Sequence, residues 1–296
     1  MLTGVPAAWP PGVEVLAIDL DVRERSRVAI DPHIRELSRD AAVFLKIDST
    51  LRGPVASLIE SALRVSGRSI AMVAPAFPEQ GRTVVDGQLI VNGEAGPRVS
   101  DVVGDGPHVV VDSEQLVQLA RDAEQHPEWL LVGSAGLARR LAPTSAPPHV
   151  RRHGSVLVVA GSPTPITREQ LAMLHGMPGL DIIATEPTDA RDSGEAARAI
   201  AEIAARTRPE AVVLTGGATA RAVIHQVQAK HVRVLGELQP GIPIGKLEDG
   251  LWQGVTVVTK AGGFGTPSTL LDVVRALGPS SRERGLRETN PRHHDG

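Results

Sequence analysis

Short apolar runs alternate with amphipathic stretches along most of the 296 residues. Residues 13–21 (VEVLAIDLD) read as a strand, and residues 28–39 (VAIDPHIRELSR) as a turn entering a helix. The run AVFLKID (42–48) predicts a second strand. GPVASLIESALRV (53–65) predicts a helix with Val55, Leu58, Ile59, Ala62 and Leu63 on one face. SIAMVAPAF and PHVVVDS read as further strands, and SEQLVQLARDAEQ as a helix that Ser113 caps. Within TVVDGQLIVNG the pair Asp86-Gly87 marks a hairpin turn. Strands alternating with helices predict α/β layers with mainly parallel sheets.

The proline-rich segment APTSAPPHVRRHG (142–154) interrupts this rhythm and reads as an interdomain linker; alternation then restarts at SVLVVAG. The expectation is two three-layer α/β domains, over residues 1–145 and 154–278. The polar tail 279–296 is expected to be disordered.

One unit occurs three times: an apolar strand, a turn of glycine with small hydroxylated residues, then a helix. The instances are WLLVGSAGLARRL, VLVVAGSPTPITREQL and AVVLTGGATARAVI. A helix start beyond a parallel strand presents unpaired N–H groups and a favourable dipole to an anion. Gly216 and Gly217 admit close backbone approach of a ligand, with Thr219 adding a hydroxyl; a tight strand-to-helix turn would use the same residues. VTKAGGFGTPSTLLDVV adds Gly262, Gly263 and Gly265 after another strand, and Lys260 stands where it could neutralise a phosphate. In AGSPTPITREQL, Ser162 ends a strand, with Thr164 and Thr167 close to the helix; N-capping uses them equally well. GIPIGKLEDG (241–250) reads as a turn-rich connector. Two independent glycine turns in one domain favour a nucleotide site, although neither a P-loop nor a Gly-x-Gly-x-x-Gly fingerprint is present.

In the first half, FLKIDSTLRG (44–53) gathers Lys46, Asp48, Ser49, Thr50 and Arg52 behind an apolar lead-in. Those groups suit a small, acidic, hydroxyl-rich ligand. Arg82, after the rigid PAFPEQG stretch, can grip a carboxylate with its planar fork, and Arg23 past a strand end invites the same comparison. Surface ion pairs would use these arginines too.

Composition narrows the classes. A net charge of −3, aromatics at 2% and no tyrosine argue against a nucleic-acid groove. Absence of cysteine excludes disulfides and thiolate zinc, and fits a reducing cytoplasm. No apolar run reaches the roughly 18 residues of a membrane span, and the start MLTGVPAAWPPG lacks signal-peptide character. The ten histidines are scattered, with His293-His294 the one adjacent pair, and no His-Glu-x-x-His or Gly-x-Ser-x-Gly motif occurs.

Taken in order, KIDSTLRG, PAFPEQGRTVVDGQLIVNG, GSAGLA, AGSPTPITREQ, LTGGATA, GIPIGKL and TKAGGFGTPSTL resemble the four-carbon acid sugar kinase family, from about Val13 to Leu277. The resemblance implies an N-terminal acid-sugar-binding domain and a C-terminal nucleotide-binding domain. It further implies ATP-dependent phosphorylation of threonate, erythronate or 3-oxo-tetronate, with Mg²⁺ bridging the phosphates. On the matching motifs, the sugar acid falls to Arg23, Lys46, Asp48, Ser49, Thr50, Arg52 and Arg82. ATP falls to Ser162, Gly216, Gly217, Ala218, Thr219, Gly262 and Gly263. The family opens with a strand bearing an Ala-Asp-Asp-Leu-Thr-Gly-Ala-type motif, whose aspartates would be natural bases or metal contacts. Here only Leu2–Gly4 echo it, so the first strand and helix are expected to be missing, and Asp48 is the remaining candidate base. Two expectations follow: a kinase whose assigned start is internal to a longer reading frame, or an impaired homologue that only binds. A homo-oligomer is also compatible with the resemblance.

Overall fold

The structure is a computed structural model that describes residues 9–20, 22, 29–39, 41–142, 148–162, 164–184 and 193–278. The chain divides into two compact units, one holding Thr3–Thr144 and the other the chain from Ser145 onward. Arg23, residues 143–147 of the expected linker and the tail 279–296 lie outside the described residues.

In the N-terminal unit, α1 (Ile34–Leu37) precedes β1 (Phe44–Lys46), α2 (Val55–Ser66) and β2 (Ile70–Ala74). Then come β3 (Arg82–Val85), β4 (Gln88–Val91), β5 (Glu94–Arg98), α3 (Val99–Val103), β6 (His108–Val110), α4 (Leu116–Asp122), β7 (Trp129–Gly133) and α5 (Ala135–Leu141). Strands β1-β7-β2-β6 form a parallel sheet, and β3-β4-β5 a separate antiparallel one. The helical period of 53–65 is realised in α2, which buries Val55, Leu58, Ile59, Ala62 and Val65 and stops at Gly67 in the left-handed region. Burying each of the valine, leucine and isoleucine side chains contributes about 1.5–3 kcal/mol. Asp86 and Gly87 both have positive φ, as the predicted two-residue hairpin turn requires. Asn92-Gly93 repeats the device and adds β5, which the sequence pattern did not suggest.

Other expectations shift. The predicted strand over 13–21 holds only an isolated bridge at Ile18 among its described residues. Asp112, not Ser113, makes the capping box with Gln115, and its carboxylate also accepts from the N–H groups of Asp86 and Gly87. Ser113 Oγ instead accepts from Val84 N–H.

The C-terminal unit runs β8 (Val156–Ala160), α6 (Pro165–Ala172), β9 (Leu180–Ala184), α7 (Ser193–Ala205), β10 (Ala211–Thr215), α8 (Gly217–Gln226) and β11 (Val232–Gln239). It ends with β12 (Ile242–Leu247), β13 (Thr256–Lys260) and α9 (Thr269–Leu277). Its six-stranded sheet has the order β11-β12-β13-β10-β8-β9, parallel except at β12. GIPIGKL is therefore a strand rather than a connector. Strands β8 and β10 are wholly buried, so they read as unbroken apolar runs. Their alternate residues serve two cores. Leu157, Val159, Val212 and Leu214 join the side with α7 and α8, while Val156, Val158, Ala211 and Val213 join the side with α9. That is a three-layer α/β unit with mainly parallel strands.

Candidate functional site

In the N-terminal unit the parallel register aligns Lys46, Gly133 and Ala74 across β1, β7 and β2. The turn after β1, the PAFPEQGR loop after β2 and the GSAG turn after β7 thus leave one sheet edge. Ile47 N–H bonds the Gly133 carbonyl and fixes where the β1 turn begins.

The turn itself is organised by Asp48. Its Oδ1 accepts from Thr50 N–H at 2.9 Å and Thr50 Oγ1 at 2.6 Å. Arg52 clamps both oxygens, Nε to Oδ1 at 3.2 Å and Nη2 to Oδ2 at 2.8 Å. Partial burial alone would raise the Asp48 pKa, but bonds from Arg52 and then Thr50 outweigh it and hold the carboxyl far below the usual carboxylate range. Such a carboxylate is a weak base with both oxygens engaged. Arg52 keeps 66% of its side chain exposed, so one face of its fork meets solvent. Buried Leu51 has φ 59°, a left-handed conformation costly for a branched side chain, which turns the chain between Thr50 and Arg52. Lys46 Nζ donates to the Ile47 carbonyl, and Ser49 is half-buried in the same turn.

Arg82 stands apart from this cluster. Its Nη1 donates to the Gln80 carbonyl, and its Nε is buried without a partner among the described residues. It makes no hydrogen bond to the Asp48–Arg52 turn among those residues.

The first glycine turn, GSAG, is a packing joint. A Cβ on Gly136 would sit 2.2 Å from the Ala76 carbonyl oxygen, and one on Gly133 2.8 Å from that of Ala74. Ser134 Oγ donates to the Ala76 carbonyl and accepts from Gly136 N–H, capping α5 internally. These glycines let two loops touch, and the anion role expected for such turns is filled here by Ser134.

In the C-terminal unit Ala160, Thr215 and Lys260 align across β8, β10 and β13, so the three following turns share an edge. The structure brings Ser162, Gly216, Thr219 and Gly262 together. A Cβ on Gly216 would meet Thr219 Oγ1 at 3.4 Å and Ser162 Cβ at 3.6 Å; one on Gly262 would meet Ser162 Oγ at 1.9 Å. Gly216, with φ 102°, starts α8 without a side-chain cap, and a Cβ on Gly217 would meet nothing within 4 Å. Ala218 and buried Thr219 complete that open first turn. Gly263 is similarly open, with only Thr164 Cγ2 at 3.8 Å. Neither Gly217 nor Gly263 is held to glycine by a close neighbour, and a helix start or glycine turn of this kind suits an anion.

Behind them runs a polar network. Ser162, Thr164 and Thr167 link hydroxyl to hydroxyl at 3.2 and 3.0 Å, and Thr167 Oγ1 donates to the Gly262 carbonyl at 2.8 Å. Gln170 Nε2 donates to the carbonyls of Phe264 and Thr266. Lys260 is buried and donates to the carbonyls of Ala261, Gly262 and Phe264, so it points into the loop rather than away from it. Sequence reasoning missed Gln170. The available signal was a pair of polar residues, Thr167 and Gln170, one helical turn apart on the buried face of α6.

Comparison with known proteins agrees with this division. Residues 13–103 match a sugar-binding N-terminal domain, and residues 185–270 a nucleotide-binding C-terminal domain. A protein of Bordetella bronchiseptica named D-threonate kinase is 29% identical, over 90% of this chain and 90% of its own length. A D-threonate kinase of Salmonella typhimurium is 27% identical, over 81% of each. A solved Haemophilus influenzae structure from a domain-of-unknown-function family shares the fold with a TM-score of 0.66, at 16% identity and 92% coverage of both chains. Among the described residues no helix is long and apolar enough to cross a membrane. With a sugar-binding and a nucleotide-binding domain matched in order, and relatives named as kinases aligned along most of the sequence, the chain belongs to the four-carbon acid sugar kinase family.

Proposed function

We propose that this chain transfers the terminal phosphoryl group of ATP to a hydroxyl of a four-carbon sugar acid of the threonate, erythronate or 3-oxo-tetronate type. The observation that carries the proposal is the start of α8 at Gly216-Gly217, which has no side-chain cap and where a Cβ on Gly217 would meet nothing within 4 Å. In the reaction a substrate hydroxyl oxygen bonds to the terminal phosphorus, the bond to the bridging oxygen breaks, and ADP leaves; the hydroxyl proton passes to a base. Such transfer depends mainly on positioning and charge stabilisation.

Roles follow from the geometry. N–H groups of Gly217, Ala218 and Thr219, with those of Gly262 and Gly263, would hold phosphate oxygens, and Ser162 would border them. Mg²⁺ would arrive on the ATP phosphates, since no three acidic or histidine side chains converge among the described residues. In the N-terminal unit, Arg52 would bind the sugar carboxylate through its exposed face, while Ser49 and Thr50 would meet hydroxyls. Arg82 and Lys46 would add positive charge. Asp48 would position Thr50 and Arg52 rather than take the proton. The relatives' name supports a threonate-like acid as first candidate. A cytoplasmic enzyme fits this chemistry and the lack of cysteine.

The test is ADP release from MgATP across a panel of four-carbon aldonates; no turnover with any of them would overturn the proposal. One observation favours a second reading, binding without turnover: Asp48, the base candidate named from sequence, has both oxygens occupied. Calorimetry showing ATP and aldonate binding without ADP release would select it.

A further inference from the structure

Lys260 ends β13 with only 3% of its surface exposed. An ammonium group has three protons. Here all three are directed at backbone oxygens, of Ala261 at 2.7 Å and of Gly262 and Phe264 at 3.0 Å each. None remains for a phosphate, and no carboxylate pairs with Lys260 among the described residues.

The consequence lies in the peptide plane. In a trans peptide the carbonyl and the next N–H point in opposite directions, and no cis bond occurs among the described residues. Drawing the carbonyls of Ala261, Gly262 and Phe264 inward therefore turns the N–H groups of Gly262, Gly263 and Gly265 outward. Among the described residues those three N–H groups have no backbone acceptor, whereas Phe264 N–H closes the turn onto the Ala261 carbonyl. Thr167 and Gln170 brace the same carbonyls from α6. Outward N–H groups backed by a buried cation suit an anion, and no carboxylate among the described residues supplies the counter-charge.

We propose that Lys260 is a positioning residue for nucleotide phosphate: it does not touch the nucleotide, but orients the 261–265 backbone so that its N–H groups do. This rests on the C-terminal unit's nucleotide-binding role. The triphosphate would supply the charge that Lys260 lacks, and Thr167 would act with it through the shared Gly262 oxygen.

The test compares wild type with Lys260→Met and the milder Thr167→Val. Without nucleotide, exchange of the loop's hydrogen-bonded amides, Phe264 on the Ala261 carbonyl and Thr266 on Thr269 Oγ1, should accelerate about tenfold or more in Lys260→Met and less in Thr167→Val, with the β8 and β10 cores unchanged. Calorimetry should show ATP binding weakened about tenfold or more in Lys260→Met and about threefold in Thr167→Val, while adenosine binds as to wild type. The double variant should lose less than the product of the two factors, because both act on one carbonyl. Weaker ATP binding with unchanged loop exchange would mean direct phosphate contact and overturn the proposal, as would wild-type ATP affinity in both variants. Should Lys260→Met fail to fold, Thr167→Val alone decides by the same two readouts. Failure of the wild type to bind ATP would overturn the nucleotide role and this proposal together, a result distinct from normal wild-type binding that Lys260 does not affect.

Discussion

Gly262→Ala would test whether Ser162 serves as a packing partner or as a nucleotide contact. The new methyl group would lie 1.9 Å from Ser162 Oγ and 2.4 Å from its Cβ. Rotating the hydroxyl relieves the first contact but not the second, because the Cβ is fixed to the backbone. Ordinary contact begins near 3.4 Å, so one loop must yield by about 1 Å. The 262 loop is the braced one, tied by Lys260, Thr167 and Gln170, so yielding breaks bonds that hold its N–H groups outward. Overpacking of this kind costs about 1–3 kcal/mol. At about 1.4 kcal/mol per decade, ATP affinity should fall roughly five- to 150-fold.

The assay is calorimetric titration with ATP beside thermal unfolding, so that a loss of fold is seen separately from a loss of affinity. Ser162→Gly should suppress the defect. It deletes the offending Cβ, and the double variant should bind ATP as tightly as Ser162→Gly alone. That single variant reports the hydroxyl's own share, about 1 kcal/mol for an ordinary hydrogen bond. Native affinity in Gly262→Ala would refute the reasoning. So would a double variant as weak as Gly262→Ala, since strain at Ser162 would then not be the cause.

Arg52→Ala should weaken aldonate binding about tenfold or more while ATP affinity stays within twofold, and Gly217→Val should do the reverse; calorimetry with each ligand checks both. Asp48→Asn should flatten the acid limb of the stability curve. The carboxyl is depressed in the folded state, so its stabilisation is present above its unfolded value of 3.8 and is lost as pH falls below it; urea midpoints at pH 7 and pH 3 would show the difference shrinking. Lys260 should give a slope of the same sign in an alkaline window. Burial lowers it from 10.5 to about 8. The unfolded chain then binds the extra proton between those values, so this group's contribution to stability rises with pH across that window while ATP affinity falls. No charged side chain contributes to the shift, and Thr215 across β10 and Thr167 and Gln170 on α6 do not titrate. Gly136→Ala should destabilise the N-terminal unit by about 1–3 kcal/mol without altering ATP affinity, as thermal unfolding with and without ATP would report.

Much of the fold was legible because buried parallel strands are written as apolar runs and α2 as a 3.6-residue period. The Asp86-Gly87 turn was equally plain, since few residue pairs accept two positive φ angles. Residues 13–21 misled for a physical reason: alternation marks a strand only where neighbouring strands take its hydrogen bonds, and among the described residues of this segment only Ile18 has a bridge. GIPIGKL misled in the other direction. Its glycines suggest turns, yet Gly245 lies within a strand, where a Cβ would meet the Arg233 carbonyl oxygen at 2.6 Å. The candidate site was legible in its motifs and not in its directions. Nothing in TKAGGFG distinguishes a lysine aimed outward from one aimed at its own loop; only burial and three carbonyl distances do.

The glycine turns make the same point more sharply. GSAG, TGGA and AGGFG are all glycine turns after apolar strands, and composition alone does not say which of them meets an anion. Asking what a Cβ would meet separates them. At Gly133 and Gly136 it meets backbone, so the glycine exists for packing. At Gly217 it meets nothing within 4 Å and at Gly263 only an ordinary contact with Thr164, so packing does not require glycine there and ligand approach supplies the reason. Gly262 lies between the two, closed on its Ser162 side and presenting its N–H on the other. The two cations, one exposed and one buried, divide likewise. Arg52 is already neutralised by Asp48 yet keeps an exposed face, so a ligand carboxylate can join it without first desolvating an isolated charge. Lys260 has carbonyl dipoles but no anion among the described residues, and a phosphate before the N–H groups it orients would balance its charge. An exposed paired cation suits a small exchangeable acid, whereas a buried unpaired one suits a polyanion held by the backbone in front of it.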